Sequence, residues 1–125
     1  KEGQITVIRK CIQELEEFFS GDRKVFTIPY ELDGTDFQKR VWKELEKIPY
    51  GETISYLELA RRLGDEKVIR AAASANGKNK IGIIIPCHRV IGANGSLTGY
   101  AGGIENKKLL LELEKRNSKI PDGLF

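Results

Sequence analysis

Cys87 and His88 stand side by side, and between them they carry the chemistry this chain can offer. A cysteine becomes a strong nucleophile once a nearby base or positive charge favours its thiolate, and an imidazole can take the proton near neutral pH. His88 is the only histidine, and Cys87 is one of two cysteines, in 125 residues. Pro86 fixes the backbone just before the pair. The apolar run 81–85 reads as a buried strand that opens into the loop bearing it. Cys87 is therefore the candidate nucleophile, its thiol pKa expected to be lowered by His88 and neighbouring helix dipoles. Two plainer readings stand beside this one, a small buried hydrophobe for Cys87 and a hydrogen-bonded loop residue for His88.

The elements that must position the pair follow from periodicity and caps. Residues 5–19 place Ile5, Ile8, Ile12, Leu15 and Phe19 at steps of three and four, an amphipathic helix on which Cys11 packs. Residues 25–32 are extended, and Pro29 makes them an edge strand or a strapped loop. Thr35-x-x-Gln38 is a capping box that opens a second helix, with Phe37, Val41, Trp42, Leu45 and Ile48 as its buried stripe. Ser55-x-x-Glu58 opens a short third helix that runs through Leu63, and Gly64 supplies a left-handed stop. Asp65 caps a further helix to about Asn76. Two short helices joined by a glycine turn make a helix-turn-helix. The second is lined by Ala71, Ala72, Ala73, Ser74 and Ala75, small enough for its backbone to approach a partner closely, while Arg70 projects from it. A glycine-rich stretch follows Cys87, then a last helix over 104–116 with Ile104, Leu110, Leu111 and Leu113 as its apolar contacts. Pro121, Asp122 and Gly123 mark a frayed C-terminus.

Composition narrows the classes. The chain is 40% hydrophobic and 31% charged, with a net charge of +3 and no methionine. It has no membrane-length apolar run and no signal-peptide pattern. Two cysteines do not make a disulfide framework, and a reducing compartment, cytoplasmic or nuclear, fits best. No Cys/His spacing matches zinc, so neither metal nor cofactor is expected. Between Arg61 and Arg89 stand seven basic residues against only Asp65 and Glu66. Such a surplus suits a polyanion.

Taken together, Pro86-Cys87-His88-Arg89-Val90, the segment 50–56, Arg70-Ala71-Ala72, Asn76-Gly77-Lys78-Asn79, the segment 97–103 and Leu113-Glu114 resemble one family. It is the O6-alkylguanine-DNA alkyltransferases, or methylated-DNA–protein-cysteine methyltransferases, and the likeness runs from about residue 35 to 114. The implied fold is mainly α with a small β component, a winged-helix-like helix-turn-helix catalytic domain over 33–125. Residues 1–32 would be the remnant of the family's N-terminal α/β domain. The implied reaction moves an alkyl group from O6 of guanine in DNA onto Cys87, once per molecule, with the damaged base flipped out of the duplex. His88 would be the base, acting through a water, and Glu114 would orient it. Tyr56 would donate a proton toward N3 of the leaving guanine. Arg70 would fill the gap in the base stack, on a DNA-binding face that includes Ala71, Ala72 and Ser74. Asn79 would brace the nucleophile's loop, and Val90, Tyr100 and Ala101 would line the base pocket. The implied partner is double-stranded DNA, met by a monomer with no obligate protein partner and no membrane. Lys80 stands where the family commonly has proline, and Ala101 where some members have serine. Two other readings compete: a non-catalytic winged-helix DNA-binding module in which Cys87 and His88 merely pack, and a small Cys-His hydrolase.

Overall fold

The computed structural model describes residues 2–79, 81–97, 100 and 102–118. The expectations placed on Lys80, Ala101 and residues 121–123 lie outside them. The chain divides into two compact units, Lys1–Glu31 and Leu32–Phe125.

The first unit is one long helix, α1 (Glu2–Ser20), and an extended return segment. Its burial departs from the apolar periodicity. Ile5, Ile8, Ile12 and Phe19 are all about half exposed, whereas Phe18 and the carboxylate of Glu14 are buried. The Phe18 ring packs against Phe26. Glu14 accepts the backbone N–H and the hydroxyl of Thr27, so an acid at a core position ties the return segment down. That segment has no strand partner among the described residues and is a strapped loop, not an edge strand. Cys11 is half-buried.

The second unit begins at α2 (Asp36–Glu46), capped reciprocally by Thr35 and Gln38. Val41, Trp42, Leu45 and Ile48 are all but fully buried. The Trp42 indole N–H donates to the Ala75 carbonyl at 2.9 Å, satisfying its one polar atom as a buried indole requires. Ser55 caps α3 (Tyr56–Arg62) by accepting the Glu58 N–H, and Gly64 leaves it at a φ of +99°. The helix expected over 66–76 starts instead as a 3-10 turn, Glu66–Val68, before α4 (Ile69–Gly77). The Asp65 side chain takes the Lys67 N–H and so caps the tighter turn. Last comes α5 (Ile104–Ser118). Two strands with no sequence signal, β1 (Ile54–Ser55) and β2 (Val90–Ile91), pair in parallel, Ile54 opposite Val90. The unit is thus mainly helical with a small sheet. Among the described residues no helix is long and apolar enough to cross a membrane.

The run 81–85 is not a strand. It curls on itself, with the Ile85 N–H bonded to the Ile81 carbonyl and the Ile84 N–H to the Gly82 carbonyl. The Asn79 side chain closes the curl, accepting the Ile81 N–H at 2.9 Å and donating to the Ile85 carbonyl at 2.8 Å. Backbone groups that a ladder would have satisfied are thereby satisfied locally. Ile83 sits at a φ of 74°, where a β-branched residue is strained.

Candidate active site

Cys87 and His88 open a 3-10 turn, Cys87–Arg89, whose residues are all buried. The Cys87 N–H donates to the Ile85 carbonyl and the Arg89 N–H to that of Pro86. Asn76, on α4, reaches the Cys87 carbonyl at 3.3 Å. The nucleophile is therefore fixed from both sides, by Asn79 through its loop and by Asn76 through its own peptide.

Behind it runs a buried charge chain. His88 Nε2 lies 2.6 Å from Glu114 Oε2. Arg89 meets the same carboxylate with two donors, Nε to Oε1 and a terminal amino group to Oε2, both at 2.8 Å. The Gly51 N–H also donates to Glu114 Oε1. These donors outweigh burial and hold the Glu114 carboxyl down at about 2, so it stays charged. A charged acceptor keeps the imidazole proton on Nε2, which leaves Nδ1 as the acceptor. Nδ1 is buried with no protein partner. Burial pulls the His88 pKa below its ordinary value despite Glu114, so the imidazole is neutral and able to accept a proton.

Burial pushes the Cys87 thiol up, and the Asn79 side chain and the charge of Lys107 offset this only in part. The expected lowering is thus reversed, because the buried 3-10 turn leaves Cys87 only 4% exposed. A thiol that rests protonated needs a base before it can act as a nucleophile.

Two residues here escaped the sequence reading. Arg89 looked like one more surface cation; its guanidinium is buried, donates to the Ile48 carbonyl at 2.7 Å and lies over the Tyr50 ring. Lys107 is fully buried at a position where Ile104, expected to pack, is half exposed. Its Nζ donates to the Val90 carbonyl at 2.6 Å and lies 5.8 Å from the centre of the Tyr56 ring. A polar residue inside the apolar pattern of α5 was the only signal for it.

The remaining candidates divide. Tyr56 opens α3 and is half-buried, as is Tyr100. Burial and the nearby Cys87 push the Tyr100 phenol up to about 12, so it keeps its proton. A Cβ at Gly102 would fall 2.7 Å from the Tyr100 ring, so glycine lets that ring lie against the backbone. Arg70, Ala71 and Ser74 form the exposed face of α4, but Ala72 is fully buried and cannot touch DNA. Ala75, the other small residue expected at that surface, is also buried. The Ala75 carbonyl is the one that receives the Trp42 indole N–H. Val90 is fully buried in β2. Among the described residues no group of three or more His, Cys, Asp or Glu could hold a metal ion.

The short helices α3 and α4 joined by a turn, with a buried Cys87 next to the His88–Glu114 pair, define the class, a helix-turn-helix fold that carries a buried cysteine. The family model for the 6-O-methylguanine DNA methyltransferase DNA-binding domain matches residues 36–116. A methylated-DNA–protein-cysteine methyltransferase of Mycobacterium bovis is 53% identical over 115 residues, 92% of this chain and 70% of that protein. The crystal structure of Mycobacterium tuberculosis O6-methylguanine methyltransferase superposes with a TM-score of 0.85 at 52% identity, covering 93% of this chain and 69% of that one. The structure of the M. tuberculosis protein in complex with DNA gives 0.85 at 53%, covering 87% and 68%. This chain belongs to the methylated-DNA–protein-cysteine methyltransferase family.

Proposed function

We propose that the protein repairs O6-alkylguanine in duplex DNA by moving the alkyl group onto Cys87, one group per molecule. The observation that carries this reading is the buried chain Arg89–Glu114–His88, whose imidazole belongs to the residue next to Cys87. It fixes the imidazole tautomer so that Nδ1 can take the thiol proton, the nucleophile–base–orienter logic of a triad.

Sγ of Cys87 attacks the alkyl carbon and the C–O6 bond breaks. The thiol proton passes to His88, directly or through a water. The electrons of the broken bond stay on guanine, which is neutralised by the Tyr56 phenolic proton at N3. Lys107, over the Tyr56 ring, favours the phenolate as it forms. The product on the protein is a thioether. Its C–S bond is not hydrolysed under mild conditions, so the reaction stops at one turnover.

An O6-alkyl group is inaccessible inside the stack, so the base must be extruded, at roughly a few kcal/mol of unstacking. Arg70 is the exposed cation on α4, and its guanidinium plane suits the gap left behind. Ala71 and Ser74 beside it are small enough for the helix to approach a groove. The Tyr100 hydroxyl, protonated throughout, is the donor available at the pocket.

Incubating the protein with duplex DNA carrying radiolabelled O6-methylguanine tests the reading. The expected result is one methyl per chain, found on the Cys87 peptide, with none transferred to Cys87→Ala although that variant still binds the duplex. Label on another residue, or release of label with turnover, contradicts it.

A further inference from the structure

Arg40, Lys43 and Glu44 on α2 and Lys47 at its C-cap fall at i, i+3, i+4 and i+7, a single helical face. With Arg62 and Leu63 from the end of α3 they line a surface cavity of about 210 Å³ that is open to solvent. None of these residues belongs to the alkyl-transfer site. The cavity collects four cations and one carboxylate. Glu44 pairs with Lys47 at 3.1 Å, and Glu58, outside the cavity, pairs with Arg62 at 3.0 Å. Two carboxylates for four cations leave the cluster under-neutralised.

The donors are also held in place. A terminal amino group of Arg40 donates to the Leu63 carbonyl at 2.8 Å, and its guanidinium lies 6.0 Å from the centre of the Phe37 ring. That anchoring orients the rest of the guanidinium fork before any ligand arrives, which lowers the ordering cost of binding. Arg62 is likewise fixed through Nε on Glu58. Lys43 makes no ion pair among the described residues. Two guanidinium forks and two ammonium point charges around one concavity suit a group with several charged oxygens. At about 30 Å³ per water, the volume admits a phosphate with part of its hydration shell.

We infer that this cavity is a second anion site, one that binds a phosphate group away from the alkyl-transfer pocket. The favoured source is a backbone phosphate of DNA, given the chain's net positive charge and its match to a DNA-binding domain. That choice of source rests on the function proposed above; the anion chemistry does not.

The test compares wild type, Lys43→Ala and, as a control for net charge, Lys108→Ala on the exposed side of α5. Affinity for undamaged duplex is measured against salt, and amide NMR shifts are followed while inorganic phosphate is added. Reaction with free O6-benzylguanine monitors the catalytic site separately. A bound DNA phosphate predicts several-fold weaker binding by Lys43→Ala and a log–log salt slope shallower by about 1. The control should change neither by as much, and benzyl transfer should be unaltered. Unchanged DNA binding, with phosphate shifting Lys47 and Leu63 amides in wild type but not in Lys43→Ala, assigns the site to a free phosphate ligand. Equal losses in both variants, or no effect of phosphate and none on the slope, overturns the proposal. Failure of benzyl transfer in wild type would remove the repair reading and leave the anion measurements standing.

Discussion

Glu114 is the residue on which the site turns, because one carboxylate receives the imidazole, a buried guanidinium and the Gly51 N–H. Its pKa, held at about 2 from an ordinary 4.5, lies below that of the unfolded chain. The stability it contributes is therefore complete above pH 4.5 and is lost as pH falls toward about 2. His88 acts in the same direction for a different reason. Burial depresses its pKa from 6.5, so the unfolded chain takes up the proton first and stability begins to fall below about pH 6.5. Calorimetry across pH should show the melting temperature declining through both windows. Glu114→Gln removes one partner of a buried ion pair, at a cost of about 3–5 kcal/mol. That variant should melt well below wild type at neutral pH, transfer slowly, and lose the lower window. An unchanged lower window would place the titration elsewhere.

At the scale of elements, the caps were legible and the catalytic loop was not. Thr35 with Gln38, Ser55 and Gly64 mark helix boundaries through local hydrogen bonds and φ preference, which depend on neighbours in sequence. The run 81–85 misled because its apolar residues carry a strand's composition, while its backbone is satisfied by Asn79, a side chain outside the run. Cys87 and His88 stood out by type and adjacency, Glu114 only through a motif resemblance, and the structure joins Glu114 to His88, the neighbour of Cys87 in the chain. Arg89 and Lys107 went unseen because a buried cation has no sequence signature apart from its partner, and the partners here lie 25 and 17 residues away. Asn79→Ala should leave the part-buried Ile81 N–H without its acceptor and the Ile85 carbonyl with only the Cys87 N–H, at about 1–3 kcal/mol in all. The expected outcome is a lower melting temperature and slower alkyl transfer, with DNA affinity retained; an unchanged rate would show that the loop holds itself. On α4, Arg70→Ala should slow repair of duplex DNA tenfold or more while leaving reaction with a free alkylated base within about twofold, since unstacking costs roughly a few kcal/mol. Parallel losses in the two assays would remove Arg70 from base extrusion.

Across the whole molecule, charge and chemistry are separated. The acid–base chain is buried under the 3-10 turn of Cys87, whereas Arg61, Arg62, Lys67, Arg70 and Lys78 are at the surface. Surface cations give sequence-independent, salt-sensitive DNA binding, whereas the alkyl transfer proposed above draws on the buried chain alone. Salt should therefore weaken capture of duplex DNA steeply and barely alter reaction with a free base; a similar salt response in both would mean that the two functions share groups. The central claim is that Cys87 accepts an alkyl carbon from O6 of guanine, and the most direct measurement is the intact and peptide mass of the protein after exposure to O6-benzylguanine. The account predicts a single benzyl adduct on the Cys87 peptide, one equivalent of free guanine, and no further product with time. A folded protein that gains no mass, or gains it at Cys11, would contradict it.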